Sequence, residues 1–330
     1  MNKFISDLQI SNFKSIRKCE ITNCKRINLF IGRPNVGKSN IIEALSLFST
    51  PYLQENLSTN RKLSNLIRLE NEAELFYNGN IDEVAIIKTN INACKAKYSP
   101  KEGLFITIQS DKFLYNVKVD YRLKVVGNNI NSDDHFPIKR YDFNADINYK
   151  KGHAKYLTPP FGFNLLTIIQ QYPQLKEEVI DLFKESGVEI AFDKSSQSLK
   201  VIQRNNEGEI FLIPYSSIAD TLQRIIFYKA AIASNDDSIL LFEEPEAHSF
   251  PPYMTHLTQE IIRKKDNQFF IATHSPFILN DLLENDREEL SVFIVYYEDN
   301  ETKIKQLNQQ ELHEVTQYGV DLFTNSESFI

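Results

Sequence analysis

The fold of this chain is constrained most by residues 27–40, INLFIGRPNVGKSN. A mostly apolar run at 27–31 leads into a Gly-x-x-x-x-Gly-Lys-Ser stretch at 32–39, and apolar side chains then recur at helical spacing over 39–49. Glycine lets a backbone curve around a phosphate without a Cβ clash, and the N–H groups at the start of a helix face the anion. The stretch therefore predicts a phosphate loop between a strand and a helix, a site for a nucleoside triphosphate.

The residue types in this loop predict individual roles. The ammonium group of Lys38 would reach the β- and γ-phosphates, and the Ser39 hydroxyl would ligate Mg²⁺. The backbone of the other loop positions would surround the phosphates. These positions are Gly32, Asn35, Val36 and Gly37.

Two later apolar runs end in side chains that suit hydrolysis. Residues 239–242 lead into Glu243 and Glu244, and residues 268–273 lead into His274. Glu243 would hold the water shell of Mg²⁺, Glu244 would polarise an attacking water, and His274 would touch the γ-phosphate. Each feature also has a plainer reading, because two acids can close a strand as a solvated turn and a lone histidine is commonly structural. A phosphate loop upstream favours the hydrolytic reading of both.

The rest of the chain reads as strands and helices. Before the loop, residues 4–10 and 18–31 predict a pair of strands. Further strands are predicted at 83–89, 104–110 and 112–126, as an antiparallel meander, and at 188–192, 198–203, 209–213, 238–242, 268–273 and 291–297. Helices are predicted at 39–49, 163–186, 219–233 and 252–266. Residues 127–160 show little periodicity and predict a loop region or an insertion, and the C-terminal segment is polar.

Composition limits the partners that the whole chain can attract. The net charge is −7, so a DNA contact would need a local basic patch. The short basic runs at 61–62, 139–140 and 263–265 are predicted to be solvated faces.

The same composition indicates a cytoplasmic protein. The three cysteines lack metal-ligand spacing and are expected to be reduced thiols. No apolar run approaches the ~18 residues of a membrane span, so no membrane partner is expected. The first ten residues lack the apolar core of a signal peptide.

Four motifs occur in order along the chain: ISNFKSI, INLFIGRPNVGKSNIIEAL, LFEEPEAHSF and FFIATHSPFIL. With them the chain resembles the ABC-type ATPase heads of the SMC, RecF and OLD group, particularly the short bacterial AAA-type ATPases often found in phage-defence loci. The resemblance implies an α/β fold, a P-loop NTPase head of ABC type with a mixed sheet, an antiparallel β subdomain and a helical insertion. It also implies ATP and Mg²⁺ as cofactors. We expect one ATPase domain, with an N-terminal lobe at 1–126, an insertion at 127–213 and a C-terminal lobe at 214–330.

The resemblance assigns further residues. Asn12, Phe13 and Lys14 match a base-contacting loop, and Asn40 lies on the phosphate loop. Glu243 and Glu244 match the metal-supporting and catalytic carboxylates, and His274 matches the switch histidine. Residues 245–248 match the loop that crosses the dimer interface.

One motif of that group is altered here. Such heads carry a Ser-x-Gly signature that caps the γ-phosphate of the opposite subunit, and the matching stretch, residues 215–224, reads YSSIADTLQR without a glycine. Ser217 and Asp220 are the candidate nucleotide contacts, and Ser217, Asp220 or Thr221 could cap the following helix. The missing glycine and the negative Asp220 weigh against a normal contact across the dimer. Asn78 is the positional candidate for the Q-loop residue.

Three functions are therefore open. The first is an ATPase head that forms an ATP-driven head-to-tail homodimer, in a DNA-linked or antiviral role. The second is a slowly hydrolysing ATP-sensing scaffold that controls a separately encoded nuclease or toxin, and the altered signature favours it. The third, a small-molecule kinase, would need an arginine-rich lid, which the sequence does not show.

Overall fold

A computed structural model describes residues 3–55, 61–127, 136–185, 187–193, 198–205 and 207–330. The chain divides into two compact units. The first unit comprises Met1–Arg140, Asp237–Glu244 and Lys265–Ile330, and the second comprises Tyr141–Asp236 and Pro245–Lys264. The boundaries predicted after residues 126 and 213 do not coincide with this division, because the strands at 239–243 and 268–272 pair within the first unit.

Runs of strands and runs of helices follow one another along the described chain. The strands are β1 (Leu8–Phe13), β2 (Ile16–Ile21), β3 (Ile27–Ile31), β4 (Ala85–Thr89), β5 (Asn92–Ser99), β6 (Gly103–Ser110), β7 (Leu114–Val119), β8 (Val125–Gly127), β9 (Ile138–Tyr141), β10 (Glu189–Asp193), β11 (Ser198–Arg204), β12 (Ile210–Pro214), β13 (Ile239–Glu243), β14 (Gln268–Ala272), β15 (Leu290–Glu298) and β16 (Glu301–Gln306). The helices are α1 (Lys38–Ser46), α2 (Tyr52–Glu55), α3 (Leu165–Gln171), α4 (Pro173–Glu185), α5 (Asp220–Ala233), α6 (Pro251–Arg263), α7 (Pro276–Asn285) and α8 (Gln309–Tyr318). No helix in the described ranges is long and apolar enough to cross a membrane.

A six-stranded mixed sheet forms the core of the first unit, in the order β16-β15-β3-β14-β13-β9. Strand β3 pairs in parallel with β14 and β15, β13 pairs in parallel with β14, and β16 runs antiparallel to β15. Every residue of β3 and β14 is buried, which explains their nearly unbroken apolar sequences. Because parallel strands end at one edge of a sheet, the residues that follow β3, β13 and β14 are placed together.

The second sheet of the first unit is antiparallel and has the order β2-β1-β4-β5-β6-β7-β8. Buried and exposed residues alternate along its strands, most clearly in β7, so one face packs on the core and the other meets solvent. This strand order confirms an antiparallel meander, but β5 was not predicted, and the single strand predicted at 112–126 is two paired strands, β7 and β8.

Among its described residues, the second unit contains four α-helices, α3 to α6, and the antiparallel sheet β10-β11-β12. Lys229 of α5 is 4% exposed, and its ammonium lies 2.8 Å from a Glu178 carboxylate oxygen and 2.6 Å from one of Glu260. This ion-paired lysine joins α4, α5 and α6. The single helix predicted at 163–186 is two helices, since Pro173 begins α4 where it has no N–H to contribute.

The structure adds elements that the sequence reading treated as irregular. Strand β9 lies within the segment expected to be a loop, and β16 and α8 lie in the polar C-terminal segment. Helix α8 has a complete capping box between Asn308 and Glu311 and ends at Gly319 with φ 60°. The sequence does contain these signals for the start and end of a helix. Few apolar residues lie between them, so the helical spacing that predicts a helix is weak.

Candidate functional site

The predicted phosphate loop connects β3 to α1 in the first unit. Gly37 precedes α1 with φ 101°, and no side chain caps the first N–H groups of that helix. Asn35 also has a left-handed backbone, φ 62°, which asparagine tolerates better than most residues. The loop thus presents uncapped N–H donors at the positive end of a nine-residue helix, as an anion site requires.

Both loop glycines are required by close neighbours. A Cβ on Gly32 would lie 2.2 Å from the Val295 carbonyl oxygen, and one on Gly37 would lie 2.1 Å from the Thr302 hydroxyl oxygen. The same Thr302 hydroxyl donates to the Val36 carbonyl oxygen at 2.9 Å. Residues of β15 and β16 therefore contact the loop so closely that positions 32 and 37 have room only for glycine.

Lys38 is 5% exposed and bonded within its own loop. Its ammonium donates to the carbonyl oxygens of Gly32, at 3.0 Å, and Arg33, at 2.7 Å. The ammonium group that would bind phosphate thus hydrogen-bonds two backbone carbonyl oxygens of its own loop in this structure. Asn40, the next predicted loop residue, donates its side-chain amide to the Ser15 hydroxyl at 2.6 Å.

Ser39 and Glu243 are in contact, because the Ser39 hydroxyl hydrogen-bonds the Glu243 carboxylate. Burial alone would raise the pKa of Glu243. The positive charge of Arg140, the Ser39 hydrogen bond and the charge of Arg68 outweigh burial, and the pKa lies below its ordinary value. A hydroxyl and an ionised carboxylate side by side are hard oxygen donors, and Mg²⁺ takes few protein ligands where phosphates supply the rest. The two residues therefore fit the magnesium role predicted for them.

Two arginines already hold the Glu243 carboxylate. A terminal nitrogen of Arg140 lies 2.6 Å from one carboxylate oxygen, and one of Arg68 lies 2.9 Å from the other. The Arg140 side chain is 5% exposed, whereas that of Arg68 is 68% exposed. The prediction that residues 139–140 form a solvated face is wrong: Lys139 and Arg140 are buried, and Arg140 is paired with the acid of β13.

Arg68 also joins a second acid, Glu43 of α1, which is 1% exposed. The Arg68 Nε donates to Glu43 at 2.8 Å, and the Lys14 ammonium is ion-paired with the other Glu43 oxygen. Lys14 further donates to the Arg68 carbonyl oxygen at 2.8 Å. The Lys14 ammonium is thus already ion-paired with an acidic side chain of the protein.

The neighbours of Lys14 are buried as well. Phe13 is 0% exposed, and the Asn12 amide donates to the carbonyl oxygens of Asn80, at 3.1 Å, and Glu83, at 2.8 Å. The implied base contact is therefore wrong for the Phe13 ring, which packs in the core. A base contact by this segment would have to use its backbone.

Glu244 and His274 meet at the ends of β13 and β14. The His274 Nε2 lies 3.5 Å from a Glu244 carboxylate oxygen, and the Glu244 N–H donates to the Ala272 carbonyl at 2.8 Å. Glu244 has φ 42°, a strained value that projects its half-exposed carboxylate from the strand end. Burial and then the charge of Lys38 lower the pKa of His274, against the opposing charge of Glu244. The imidazole is therefore neutral at pH 7, with one N–H to donate.

The signature-like stretch lies in the second unit. Ser217 is exposed in a short 3₁₀ turn, and Asp220 begins α5 with its carboxylate 3.7 Å from Arg224. The cap residue of α5 is Ala219, which has no side chain to accept, so the expected cap at Ser217, Asp220 or Thr221 is wrong. Thr221 instead donates its hydroxyl to the His248 carbonyl oxygen at 2.8 Å. Asn78 is exposed in the turn at 77–79, and its Q-loop role stays a prediction.

The sequence reading missed Arg68, Arg140 and Thr302. Arg140 lies 103 residues from Glu243, and Arg68 lies 175 residues from it, so no local pattern links them. One feature of the sequence could have indicated the two arginines: residues 243–246 carry three acidic side chains. A carboxylate at the end of a buried strand needs a positively charged partner.

Comparisons with known proteins agree with this geometry. Residues 27–280 match the family described as "AAA domain, putative AbiEii toxin, Type IV TA system". No match is found among curated proteins. In a solved structure of an "SmcHead bound to the C-winged helix domain of ScpA", the similar chain is 14% identical with a TM-score of 0.54, covering 93% of this chain and 99% of that one. An Smc head with an extended coiled coil, bound to the C-terminal domain of ScpA from Pyrococcus furiosus, is 13% identical with a TM-score of 0.50, covering 96% and 99%.

At these identities the solved structures show a shared fold, and the predicted α/β P-loop NTPase head with its mixed sheet is confirmed. The family match covers well over half of the residues and includes the phosphate loop, Glu243, Glu244 and His274. The chain therefore belongs to this AAA domain family.

Proposed function

We propose that this chain binds and hydrolyses ATP with Mg²⁺ at the phosphate loop of the first unit. The observation that carries the proposal is the contact of Ser39 with Glu243 beside the loop, with Glu244 and His274 joined at the next strand end. Lys38 would exchange its two carbonyl bonds for phosphate oxygens. Mg²⁺ at Ser39 and Glu243 would neutralise phosphate charge.

Glu244 is the proposed general base. Its half-exposed carboxylate can accept a proton from water as that water's oxygen attacks the γ-phosphorus. The neutral His274 would orient Glu244 or donate its N–H to a γ-phosphate oxygen.

A homodimer that is head to tail would complete the site. In the group that the chain resembles, the signature of one subunit meets the nucleotide of the other. Ser216 and Ser217 are exposed at the corresponding place, whereas the Thr221 hydroxyl is already bonded. The two serines are therefore the proposed trans contacts, and Asp220 is held by Arg224.

The experiment compares ATP turnover and solution mass, with ATP and Mg²⁺, for the parent, Lys38→Ala and Glu244→Gln. We expect Lys38→Ala to lose ATP binding. Glu244→Gln should bind ATP, lose hydrolysis by about 10²–10⁴-fold and remain as a closed dimer. Glu284→Gln, which removes an exposed carboxylate elsewhere in the first unit, is the matched control and should hydrolyse normally. Undiminished turnover by Glu244→Gln would remove the proposed base, and a monomer mass in every state would remove the dimer.

The altered signature favours a second candidate, an ATP-sensing scaffold that hydrolyses slowly and controls a separate nuclease or toxin. Asp220 at the start of α5 places a carboxylate where the related heads have an anion contact. For this candidate, the dimer should form with ATP while turnover stays slow, and Asp220→Ser should speed hydrolysis. A fast parent enzyme would exclude it. A DNA-linked or antiviral role fits the resembling group, and the phage susceptibility of cells that carry Lys38→Ala would test it.

A further inference from the structure

A chain of hydrogen bonds runs from helix α1 through the β1–β2 turn and β16 to the phosphate loop, within the first unit. The Asn40 side-chain nitrogen lies 2.6 Å from the Ser15 hydroxyl oxygen, which lies 2.6 Å from the Thr302 hydroxyl oxygen. The Thr302 hydroxyl oxygen is in turn 2.9 Å from the Val36 carbonyl oxygen. Thr302 is 0% exposed, so water does not compete for its hydroxyl.

Each proton in this chain has one possible direction. A carbonyl oxygen only accepts, so the single proton of the Thr302 hydroxyl points to Val36. The contact between the two hydroxyls therefore uses the proton of Ser15, and Asn40 must donate to Ser15 with its amide nitrogen. The Thr302 N–H also donates to the Ser15 carbonyl oxygen, at 2.9 Å. Thr302 is thus held by Ser15 at two points, and its hydroxyl proton is directed to the loop.

The bond from Thr302 fixes the orientation of the peptide group between Val36 and Gly37. In a trans peptide the C=O and the N–H point in opposite directions. Because the Val36 C=O points to β16, the Gly37 N–H points to the opposite side of the loop. This N–H has no acceptor among the described residues, and it precedes the uncapped first turn of α1. It is therefore available to an anion at the start of that helix.

Glycine alone does not select this orientation. Without a Cβ, Gly37 can adopt φ values of either sign, so the peptide group before it can rotate until its C=O and N–H exchange sides. A flipped peptide would present a carbonyl oxygen to the bound anion and repel it. We infer that Thr302 is a positioning residue that selects the orientation in which the Gly37 N–H donates to a phosphate group of the nucleotide. This inference rests on the proposed ATP site and deepens it.

The two hydroxyls of the chain differ in what they contribute. Thr302 bonds the loop carbonyl directly, whereas Ser15 donates to Thr302. Loss of the Ser15 hydroxyl would leave the bond between Thr302 and Val36 in place. Loss of the Thr302 hydroxyl would remove that bond. The two substitutions should therefore have unequal effects on phosphate binding, although each removes one hydroxyl from the same chain.

The test measures phosphate binding by Thr302→Val, which keeps the shape of the side chain and removes the hydroxyl. Thr302→Ser keeps the hydroxyl, and Ser15→Ala removes only the group that donates to Thr302. Thr107→Val is the matched control, because the Thr107 hydroxyl donates to the Asn116 side chain at 2.8 Å within the antiparallel sheet of the same unit. The probes, followed by calorimetry, are ATP with Mg²⁺ and inorganic tripolyphosphate with Mg²⁺, which carries phosphates without a base or sugar.

We expect Thr302→Val to bind both probes about 5–15-fold more weakly, because only the fraction of molecules with the correct peptide orientation binds them. Thr302→Ser should bind within about twofold of the parent, and Ser15→Ala should lose no more than about threefold. Thr107→Val should bind as the parent does. The same phosphate contact serves the ground state and the transition state, so in Thr302→Val the KM for ATP should rise while kcat stays within about twofold.

Three results would overturn the inference: equal affinities for the parent and Thr302→Val, no recovery in Thr302→Ser, or a loss for ATP without a loss for tripolyphosphate. The last result would place the effect at the base or sugar. Unfolding midpoints in urea, measured for every variant, separate loss of the hydroxyl from general destabilisation. A parent that binds neither probe would overturn the proposed ATP site together with this inference. A parent that binds both, with Thr302→Val unchanged, would overturn the inference alone.

Discussion

Removing the guanidinium group of Arg68 should tighten, not weaken, the binding of Mg²⁺ at the candidate site. The Arg68 guanidinium lies 2.9 Å from a Glu243 carboxylate oxygen, on the carboxylate that would support the metal. A divalent cation and this guanidinium compete for the same negative charge. In Arg68→Met the aliphatic bulk stays and the competitor is gone.

The magnitude follows from burial. The Arg68 side chain is 68% exposed, so water screens its pairing with Glu243 and the pair is worth about 0.2–1 kcal/mol. Relief of that competition corresponds to an increase in Mg²⁺ affinity of at most about fivefold. Arg140 is different, because its side chain is 5% exposed and loss of its charge would cost about 3–5 kcal/mol of stability. Arg68 is therefore the displaceable partner and Arg140 the fixed one.

The assay is the affinity for a fluorescent ATP analogue as a function of Mg²⁺ concentration, for the parent, Arg68→Met and Arg61→Met. Arg61 is exposed and makes the same change in net charge seven positions earlier, so it is the matched control. We expect the Mg²⁺ midpoint to fall in Arg68→Met alone. A midpoint that rises, or nucleotide affinity that drops by more than about tenfold, would show that Arg68 holds phosphate and would refute the competition.

Two further predictions concern the loop and the strand-end histidine. Gly37→Ala should lower the free energy of unfolding by about 2–4 kcal/mol in urea titrations, because φ is 101° and the new Cβ would lie 2.1 Å from a hydroxyl oxygen. Gly79→Ala, with φ 68° and no atom within 4 Å of the new Cβ, should cost only about 1 kcal/mol, and equal losses would contradict the steric argument. His274 has a lowered pKa in the folded state, through burial and then the charge of Lys38 against that of Glu244, so protons favour the unfolded chain. Its contribution to stability should be complete above the ordinary value of 6.5 and decline as the pH falls below it, and His274→Gln should flatten that decline in urea titrations at a series of pH values. An unchanged pH profile would count against it.

The central strands of the mixed sheet were predictable because burial on both faces imposes an apolar run. Strands β3, β13 and β14 are such runs, and each predicts where its following polar residues lie. Positions that require glycine, the first residues of helices and the ends of parallel strands depend on nearby residues or on the order of the strands. They can therefore be predicted from a single sequence. For this reason the sequence alone predicts that Lys38, Ser39, Glu243, Glu244 and His274 follow the ends of these strands.

The ion pairs at the same site could not be predicted, since they join residues far apart in sequence. Two adjacent basic residues at 139–140 resemble any solvated charge run, and only the fold turns Arg140 toward Glu243. Likewise, the motif around Phe13 suggested a ligand contact, but Asn12, with φ 51°, interrupts the alternation of β1 and the Phe13 ring is buried. The role of a charged or aromatic residue cannot be predicted until the fold shows whether its side chain points to the core or to solvent.

The support beneath the phosphate loop bears on the order of events during synthesis. The Thr302 hydroxyl reaches the Val36 carbonyl across 266 residues of sequence, and β16 lies beyond the last residue of the family match. A ribosome releases the chain from its N-terminus, so the loop emerges long before the hairpin that holds it in shape. Until residue 302 has been made, the loop therefore lacks the hydrogen bond that the Thr302 hydroxyl donates to the Val36 carbonyl oxygen.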